Sequence, residues 1–402
     1  KIRRGGNHTC AQGRVMTMEM DNLRFAPYTM PESLNALRAE VRAFLAEECR
    51  NFSPVHRSNS WDAFDADFSR KLGERGWLGL TLPKAYGGHE RGALERYVVV
   101  EELLAAGAPT GFHWIADRQS GPLLARHGTE EQKKTILPKI TAGEVCFCIG
   151  MSEPGAGSDL AALRTRAERT DAGWRVNGQK IWTSHAHRAH YMIALIRTQP
   201  AGENRHAGLS QFLVELPADG ITCRPIKDLT GRAQFNEVFF EDALLPHDAL
   251  VGEEGGGWNQ VIEELSYERS GPERYLSCYV LLTHLIDVVK EHASNATLRK
   301  IGSQIALLAA LRNMSLSVAG MLNDGKDPGL QAAIVKDVGC SFEQGLPELA
   351  QELVDLEPTL ANHGIDYQQV LGNLVQLAPS FSLRGGTPEI LRGIIARGLG
   401  LR

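Results

Sequence analysis

A short loop near the end of the sequence contains residue types that can bind a ligand through backbone N–H groups. Residues 384–389 read Arg-Gly-Gly-Thr-Pro-Glu, in which Thr387 suits the N-cap of a helix and Pro388 its first position. The first turn of a helix has N–H groups without intrahelical partners, so it can donate hydrogen bonds to an anion or to the polar edge of a ligand. A plain capped helix is the alternative interpretation, because such caps are common.

A second candidate site combines a glycine-rich turn with an aromatic side chain. Residues 151–159 read Met-Ser-Glu-Pro-Gly-Ala-Gly-Ser-Asp, and a strand-like run that contains Trp182 follows. Neither this turn nor the glycines at 255–257 complete the Gly-x-Gly-x-x-Gly pattern, which argues against a Rossmann-type nicotinamide site. An aromatic plane with hydrogen bonds from strand edges could instead hold a flavin ring. The alternative is an ordinary turn beside a core tryptophan.

The composition excludes several functional classes. The 402 residues carry a formal net charge of −5 and no long basic run, which argues against a nucleic-acid surface. The apolar runs fall short of the roughly 20 residues that span a bilayer, so no membrane span is predicted. Seven scattered cysteines favour a reduced, cytoplasmic protein. His185, His187 and His190 indicate a polar loop, and no metal site is predicted.

The periodicity of the apolar residues changes twice along the chain. Helical spacing predicts an N-terminal α-helical domain over 22–145. Strand-like runs then predict a middle antiparallel β-barrel over 146–246, with Asn177-Gly178 as a hairpin turn. Residues 1–21 are interpreted as a leader that is disordered or derived from expression, because they lack the apolar segment of a signal peptide.

The last part of the sequence, 247–402, returns to helical spacing. Long apolar-periodic segments joined by short turns predict a C-terminal four-helix bundle, with helices at 258–293, 296–323, 328–356 and 365–377. The predicted fold class is therefore α+β and multidomain, with a β domain between two helical ones.

These motifs, taken in order, resemble the acyl-CoA dehydrogenase family from about residue 22 to the C-terminus. Besides the two motifs above, the resemblance is carried by the segments 78–88, 127–144, 178–184, 235–252 and 386–397. It implies a flavoenzyme that binds FAD between the β domain and the C-terminal bundle and acts on an acyl-CoA thioester. By position, the residues implied in FAD binding are Ile149, Met151, Ser152, Trp182, Ser184, Gly386, Thr387 and Glu389. Ser158 and Arg269 are implied on the substrate side.

The reaction of this family needs a base for the α-proton and a flavin N5 that accepts hydride from the β-carbon, and a partly buried carboxylate suits the first task. In many members that Glu occupies the position matching Gly385, where this chain has none. The resemblance to the isovaleryl and long-chain subgroup implies Glu268 as the base. Glu268 also fits an exposed position on a charged helix, which is the alternative interpretation. The backbone N–H of Gly385 is expected to stabilise the thioester enolate, as in an oxyanion hole.

Two further segments depart from the family pattern. Many members reach the FAD of a neighbouring subunit with an Arg-x-x-Phe-Gly stretch, but residues 294–302 here lack the Phe-Gly pair. The glycine-rich FAD loop of many relatives is replaced at 360–366. Both departures bear on how the chain contacts the cofactor of another subunit.

The prediction is thus an FAD-dependent acyl-CoA dehydrogenase of fatty acid metabolism, reoxidised by an electron-transfer flavoprotein and assembled as a homodimer or homotetramer, or as a heteromer. Two alternatives stay open at this point. The chain could be a non-catalytic partner subunit that pairs with an active homologue. It could also perform related flavin chemistry, either on a carrier-bound acyl group or with oxygen.

Overall fold

A computed structural model describes residues 23–361 and 364–401, and the side chains of residues 265–268 lie outside that description. The proposed leader at 1–21 also lies outside the described residues. The N-terminal part is helical, as predicted, and its helices pack around an apolar core that includes Val41, Leu72 and Leu103. These helices are α1 (Asn35–Glu48), α2 (Pro54–Arg57), α3 (Ala66–Glu74), α4 (Ala93–Ala106), α5 (Gly121–His127) and α6 (Glu130–Thr141).

Local sequence signals explain where two of these helices begin. The Asp65 side chain accepts a hydrogen bond from the Phe68 N–H (2.9 Å) and caps α3. Thr129 and Gln132 form a capping box at the start of α6, in which each side chain accepts from the backbone N–H of the other. Both caps satisfy N–H groups that would otherwise lack partners, so they fix the helix boundaries.

The middle part forms one sheet of eight strands in the order β6-β7-β3-β2-β4-β5-β8, with β1 paired to β4. Its core contains Trp174, Met192 and Phe212. The β1–β4 and β2–β4 pairs are parallel and the others are antiparallel. The strands are β1 (Phe147–Gly150), β2 (Arg166–Thr170), β3 (Gly173–Ser184), β4 (Tyr191–Arg197), β5 (Leu209–Glu215), β6 (Ile221–Ile226), β7 (Phe235–Leu245) and β8 (Leu250–Val251).

The predicted antiparallel barrel is therefore wrong in one respect, because the sheet is open and mixed. Its two edge strands, β6 and β8, do not pair with each other, and β8 is only two residues long. The predicted hairpin at Asn177-Gly178 is also wrong, because β3 runs straight through both residues. There the Asn177 side chain exchanges two hydrogen bonds of 2.9 Å with Asp242 of β7, and the ladder shifts register at this point. Tertiary pairing has overridden a turn-favouring dipeptide.

The C-terminal part is a helical bundle with a core of leucines that includes Leu285, Leu346 and Leu371. Its helices are α7 (Gly257–Glu268), α8 (Tyr279–Val289), α9 (Asn295–Asn323), α10 (Gly329–Leu353), α11 (Asp366–Phe381) and α12 (Pro388–Gly398). The single helix predicted over 258–293 is wrong, because the chain leaves helical geometry between α7 and α8. Pro272 follows Gly271 there, and a proline disfavours helical geometry at the residue before it.

The long helix α9 meets the length and apolar composition of a membrane-spanning helix. A core helix of a globular protein meets the same criteria, and Leu311, Leu316 and Val318 of α9 are buried against other parts of the fold. Near this contact the hydroxyl groups of Tyr97 on α4 and Tyr275 form a buried hydrogen bond of 2.6 Å. The N-terminal helices and the bundle thus share a polar contact within an apolar interface.

Candidate active site

Trp182 lies at an irregular point of β3. The pairing of β3 with β7 shifts register between Lys180 and Thr183, and Trp182 has a φ of +60°, which is unusual for a residue other than glycine. The indole is 57% exposed, and its described ring neighbour is Phe235, whose ring lies edge-on with a centroid distance of 6.1 Å. Such a bulge re-aims a side chain, and here it presents an aromatic plane at the surface of the sheet.

The glycine-rich turn lies directly beside this tryptophan. The N–H of Ile181 donates to the Ser152 carbonyl (2.9 Å), which joins β3 to the segment after β1. Behind it, the buried Lys180 ammonium donates to Glu153 (2.9 Å) and to the Met151 carbonyl (3.2 Å). Burial alone would raise the pKa of Glu153, but Lys180 and the donors from Thr165 and Arg164 outweigh it, so the pKa is lowered. The two motifs quoted from the sequence therefore form one surface.

The glycine loop before α12 has an unusual backbone. Gly385 and Gly386 have φ values of +64° and +104°, which side-chain-bearing residues rarely adopt. Their carbonyls accept hydrogen bonds from two cations on different helical segments: Arg269 Nε donates to Gly385 (3.1 Å) and Lys336 Nζ donates to Gly386 (3.0 Å). Glycine at these positions permits the loop, and the cations fix it.

The end of α7 is held against this loop. The helix ends at Glu268, and the next residue, Arg269, makes the hydrogen bond to Gly385. The Glu268 side chain lies outside the described residues, so its carboxylate position is not part of this geometry. The backbone nevertheless brings position 268 to the same corner of the molecule as Gly385.

A crevice where the three domains meet connects the two halves of this site. Its lining includes Phe235, which contacts Trp182, and Arg384, which precedes Gly385. The N-terminal helices contribute Trp61 and Asp62 to the same crevice. The crevice thus lies next to the ring neighbour of Trp182 and next to Gly385, two positions about 200 residues apart in the chain.

Charged side chains surround Trp61 in this region. The guanidinium groups of Arg118, Arg274 and Arg384 lie 5.2, 5.3 and 4.4 Å from its ring centroid, within the range of cation–π contacts. Arg118 also forms a buried ion pair with Glu273 (3.0 Å). A charge cluster of this kind is stable only when its members are closely paired.

Asp62 is a partly buried carboxyl group on the wall of the crevice. It accepts a hydrogen bond from the Gln234 amide. Burial raises its pKa to about 7, although Arg384 and Arg232 act in the opposite direction. Its protonation therefore changes near neutral pH, and this change occurs beside the candidate site.

The remaining predicted site residues lie in varied surroundings. Ile149 on β1 pairs with Ile193 and is half-buried, and Ser184 pairs with Phe235 next to Trp182. Ser158 is exposed in an open turn, where added Cβ atoms at the neighbouring glycines, Gly155 and Gly157, would meet nothing within 4 Å.

Thr387 is at the N-cap of α12, as predicted, but its side chain does not cap a helix N–H. Glu389 follows it in the first turn of α12 and is exposed. Hydrogen bonds from the Thr387 hydroxyl and from the backbone N–H of Glu389 lower the pKa of the Glu389 carboxyl. The Thr387 hydroxyl thus bonds an exposed carboxylate and does not cap the helix.

Sequence reasoning missed three residues that border this site: Lys336, Asp62 and Phe235. For Lys336 a signal was available, because it shares a helical stripe with Ala332 and Cys340, all of which are buried. A single lysine on an apolar stripe indicates a buried cation with a specific partner. Nothing in the local sequence marks Asp62 or Phe235, since only the fold brings them together.

The described residues suit a flavin. Trp182 offers an exposed aromatic face, Ser152 lies at a strand edge beside it, and the loop at Gly386 leads into the start of a helix that its N-cap side chain does not cap. A planar ring with polar edges needs this combination of a flat apolar surface and backbone donors.

Comparison with protein families gives consecutive matches along the chain. Residues 31–144 match the acyl-CoA dehydrogenase N-terminal domain, residues 148–243 the middle domain and residues 255–400 the C-terminal domain. IpdE1, an acyl-CoA dehydrogenase of Mycobacterium tuberculosis (strain ATCC 25618 / H37Rv), is 32% identical over 384 residues, which cover 92% of this chain and 98% of IpdE1. FadE34 of the same organism, also an acyl-CoA dehydrogenase, is 33% identical over 331 residues, which cover 82% of this chain but 45% of FadE34. The chain thus spans less than half the length of that relative.

Solved structures give the same result. The Tcur3481-Tcur3483 steroid ACAD superposes with a TM-score of 0.82 at 28% identity, covering 93% of this chain and 98% of that one. The ChsE4-ChsE5 complex from Mycobacterium tuberculosis superposes with a TM-score of 0.81 at 28% identity, covering 94% and 99%. Together with the domain matches, these relatives show that the chain belongs to the acyl-CoA dehydrogenase family, FAD-dependent oxidoreductases that act on acyl-CoA.

Proposed function

We propose that this chain dehydrogenates an acyl-CoA thioester at the α,β bond, with Glu268 as the base that removes the α-proton. The hydrogen bond from Arg269 Nε to the Gly385 carbonyl (3.1 Å) is the observation that carries this proposal. This bond joins the end of α7, where Glu268 lies, to the loop at Gly385. In many members of the family the catalytic Glu occupies the position that matches Gly385. The hydride acceptor for the β-carbon is supplied by FAD when it is bound.

The other residues have supporting roles in this proposal. Trp182, Ser184, Met151 and Ser152 form the wall for the flavin ring on the side of the sheet, with Ile149 behind them. Gly386, Thr387 and Glu389 contact the cofactor from the start of α12. The Gly385 N–H stabilises the negative charge that develops on the thioester oxygen when the proton leaves. Ser158 faces the CoA arm, because its turn is open to solvent.

Arg269 was predicted on the substrate side. Its hydrogen bond to Gly385 supports an indirect role, in which the guanidinium holds the loop. A direct contact with the substrate stays a prediction.

The first experiment asks whether the purified chain binds FAD and whether acyl-CoA removes the visible absorbance of the bound flavin under anaerobic conditions. The panel contains straight-chain, branched and polycyclic acyl-CoAs. We expect a polycyclic acyl-CoA to react best, because the chain is similar to a structure described as a steroid ACAD. Absence of reaction with every acyl-CoA in the panel, with FAD bound, would contradict the proposed function.

We further propose that the chain works in a heteromeric assembly. Residues 294–302 lack the Phe-Gly pair of the stretch with which many members reach the FAD of a neighbour. A copy of this chain is therefore a poor donor of that contact, whereas a homologous subunit with the complete stretch can provide it. The similarity to the ChsE4-ChsE5 complex supports this arrangement.

Co-expression with a homologue that carries Arg-x-x-Phe-Gly tests the assembly. We expect one to two FAD groups per pair of different subunits, and weaker FAD retention by the chain alone. Full FAD occupancy of the chain alone in a homo-oligomer would favour the homodimer or homotetramer instead.

The non-catalytic subunit remains a second candidate, favoured by glycine at 385 and by the incomplete stretch at 294–302. In that case Glu268→Gln would leave the activity of the assembly unchanged. A dehydrogenase assembly of this kind is proposed to pass electrons to an electron-transfer flavoprotein in the cytoplasm. Reaction with oxygen at a comparable rate would favour an oxidase, and reaction with carrier-bound acyl groups alone would favour that substrate class.

A further inference from the structure

Lys336 on α10 is a fully buried cation near the proposed active site. Lys336 has 0% exposure, and its ammonium donates to the Gly386 carbonyl (3.0 Å) and contacts the Cys340 sulfur (3.5 Å). Within the described part of the chain, no carboxylate forms an ion pair with it. Burying an ammonium group without a carboxylate is costly, so its retention needs a reason.

The hydrogen bond from Lys336 to the Gly386 carbonyl is one of two similar contacts with this loop. Arg269, which directly follows α7, donates to the carbonyl of Gly385, the residue before Gly386. Two cations on separate helical segments therefore hold two consecutive carbonyls of one loop. An added Cβ at Gly386 would lie only 3.6 Å from the Arg269 guanidinium, which shows how closely the cation approaches this loop.

The geometry of the peptide group indicates which way the N–H groups of Gly386 and Thr387 point when the two carbonyls bind the cations. In a trans peptide the carbonyl of one residue and the N–H of the next point in opposite directions. If the Gly385 and Gly386 carbonyls point towards the cations, the N–H groups of Gly386 and Thr387 point away from them. Hydrogen bonding of each carbonyl to a cation also polarises its peptide group, which makes the N–H a stronger donor.

We propose that Lys336 is a positioning residue that acts with Arg269 as a two-cation clamp, aiming the Gly386 and Thr387 amides at the polar edge of the bound flavin and thioester. The ligand identity rests on the proposed function, but the orientation of the loop does not. The clamp explains why the loop can keep two glycines with positive φ in one conformation. It also explains a buried cation that forms no ion pair with a carboxylate among the residues that the structure describes.

The charge on Lys336 depends on pH in a range that can be measured. Burial, and then the nearby Arg274, lower the pKa of Lys336 to about 8, and Arg384 acts in the same direction. Cys340 is the group that opposes them. The clamp is therefore complete at neutral pH and loses its charge as the pH rises through about 8.

The test compares Lys336→Met with Lys326→Met. The first substitution removes the buried ammonium and keeps the side-chain length, and an apolar isostere at such a position is compatible with folding. The second removes a lysine that is exposed in the turn before α10 and pairs with Asp324 (3.0 Å). Both variants lose one positive charge from the segment around the start of α10, but only Lys336→Met removes the hydrogen bond to the Gly386 carbonyl.

The first readout is hydrogen exchange of the backbone amides at 385–391 in the flavin-free protein at neutral pH. We expect about tenfold faster exchange in Lys336→Met, because the Gly386 carbonyl loses a buried donor. Exchange in Lys326→Met should equal that of the unmodified chain. Equal exchange in both variants would overturn the clamp, whether or not the protein proves to be a dehydrogenase.

The second readout is FAD affinity between pH 6 and pH 9.5, measured on the assembly that holds FAD. We expect the affinity of the unmodified chain to fall by about tenfold above pH 8, and Lys336→Met to bind about tenfold more weakly at pH 7 with a flatter pH dependence. Lys336→Met with the affinity and pH profile of the unmodified chain would overturn the role in ligand binding. Failure of the unmodified assembly to react with acyl-CoA would instead count against the proposed function.

Discussion

The two halves of the candidate site reach a defined geometry by different means. On the sheet, Trp182 is presented by the backbone: a register shift, a φ of +60° and a hydrogen bond from Ile181 to Ser152 hold it in place. On the bundle, the loop at Gly385 and Gly386 has little structure of its own, and cations from other segments hold its carbonyls. Strand pairing sets the geometry of the sheet half, with the buried Lys180–Glu153 pair behind it, whereas cations hold the carbonyls of the bundle loop.

This difference has consequences for how each half responds to change. Strand pairing itself depends little on pH or salt, but burial lowers the pKa of Lys180, whose ammonium lies behind the flavin wall, to about 8. A loop held by a buried lysine depends on the protonation of that lysine, and Asp62 and Arg384 line the crevice between the two halves. We therefore expect a rise in pH through about 8 to act on both halves, through Lys180 on the sheet and Lys336 on the bundle, and pH near 7 to act through Asp62 in the crevice.

The largest expected effect comes from Glu268→Gln. If Glu268 is the base, the rate of flavin reduction by acyl-CoA should fall by about 10³-fold, within the range of general base catalysis, while FAD stays bound. Stopped-flow absorbance under anaerobic conditions measures the rate. Glu263→Gln is the matched control, because Glu263 lies on the same helix and pairs with Arg126 and His127. Equal rates in both variants would remove Glu268 from this role.

The next effect concerns the aromatic wall. Trp182→Ala should weaken FAD binding by about ten- to a hundredfold, since a large aromatic contact is lost, while the Tm of the flavin-free protein changes little because the indole is mostly exposed. Titration with FAD and thermal unfolding measure the two quantities. Leu244→Ala removes another exposed apolar side chain of the same sheet and should leave FAD binding unchanged. A large fall in Tm for Trp182→Ala would show that the indole is structural.

The third effect is on stability and depends on pH. Burial raises the pKa of Asp62 from an ordinary 3.8 to about 7, so the folded chain holds a proton that the unfolded chain releases. The corresponding stability is complete below pH 3.8 and is lost as the pH rises to about 7. Asp62→Asn should therefore be more stable than the unmodified chain by about 2 to 4 kcal/mol above pH 7, and the gain should vanish near pH 4.

Thermal unfolding of the flavin-free protein at several pH values measures this gain. Asp67→Asn, at an exposed position two residues into the start of α3, should show no such dependence. A lower Tm for Asp62→Asn at pH 8 would mean that the Asp62 carboxylate is stabilised by Arg384 and Arg232 more than burial destabilises it.

The smallest effect separates two helix starts. Thr129→Ala removes a capping box and should cost about 1 kcal/mol of stability. Thr387→Ala should cost less than about 0.5 kcal/mol, because the Thr387 side chain does not cap its helix. Chemical denaturation of both variants measures the difference. Equal losses of stability in the two variants would show that Thr387 caps α12 in solution. The bundle half of the site would then depend less on cations from other segments than we infer.

The comparison of the two halves also explains which elements could be predicted. The spacing of apolar residues predicts the helical N-terminal part, the change to strands and the final bundle. Each spacing places the apolar side chains on the one face of a helix or strand that packs against a core. The break between α7 and α8 went unpredicted although Gly271-Pro272 was visible. The sequence could not predict that the sheet is open, because strand order depends on contacts between distant segments.

By itself, the sequence determined the order of the three domains, the family to which the chain belongs and the residues at which a flavin and a thioester are expected. Those features reside in local patterns and in motifs whose residues are contiguous. Only the tertiary structure decided that Trp182 adopts a positive φ, that Asp62 lies in one crevice with Arg384, and that Lys336 meets the carbonyl of Gly386. Each of these depends on burial and on partners tens or hundreds of residues away, and neither quantity is contained in the spacing of residues along a chain.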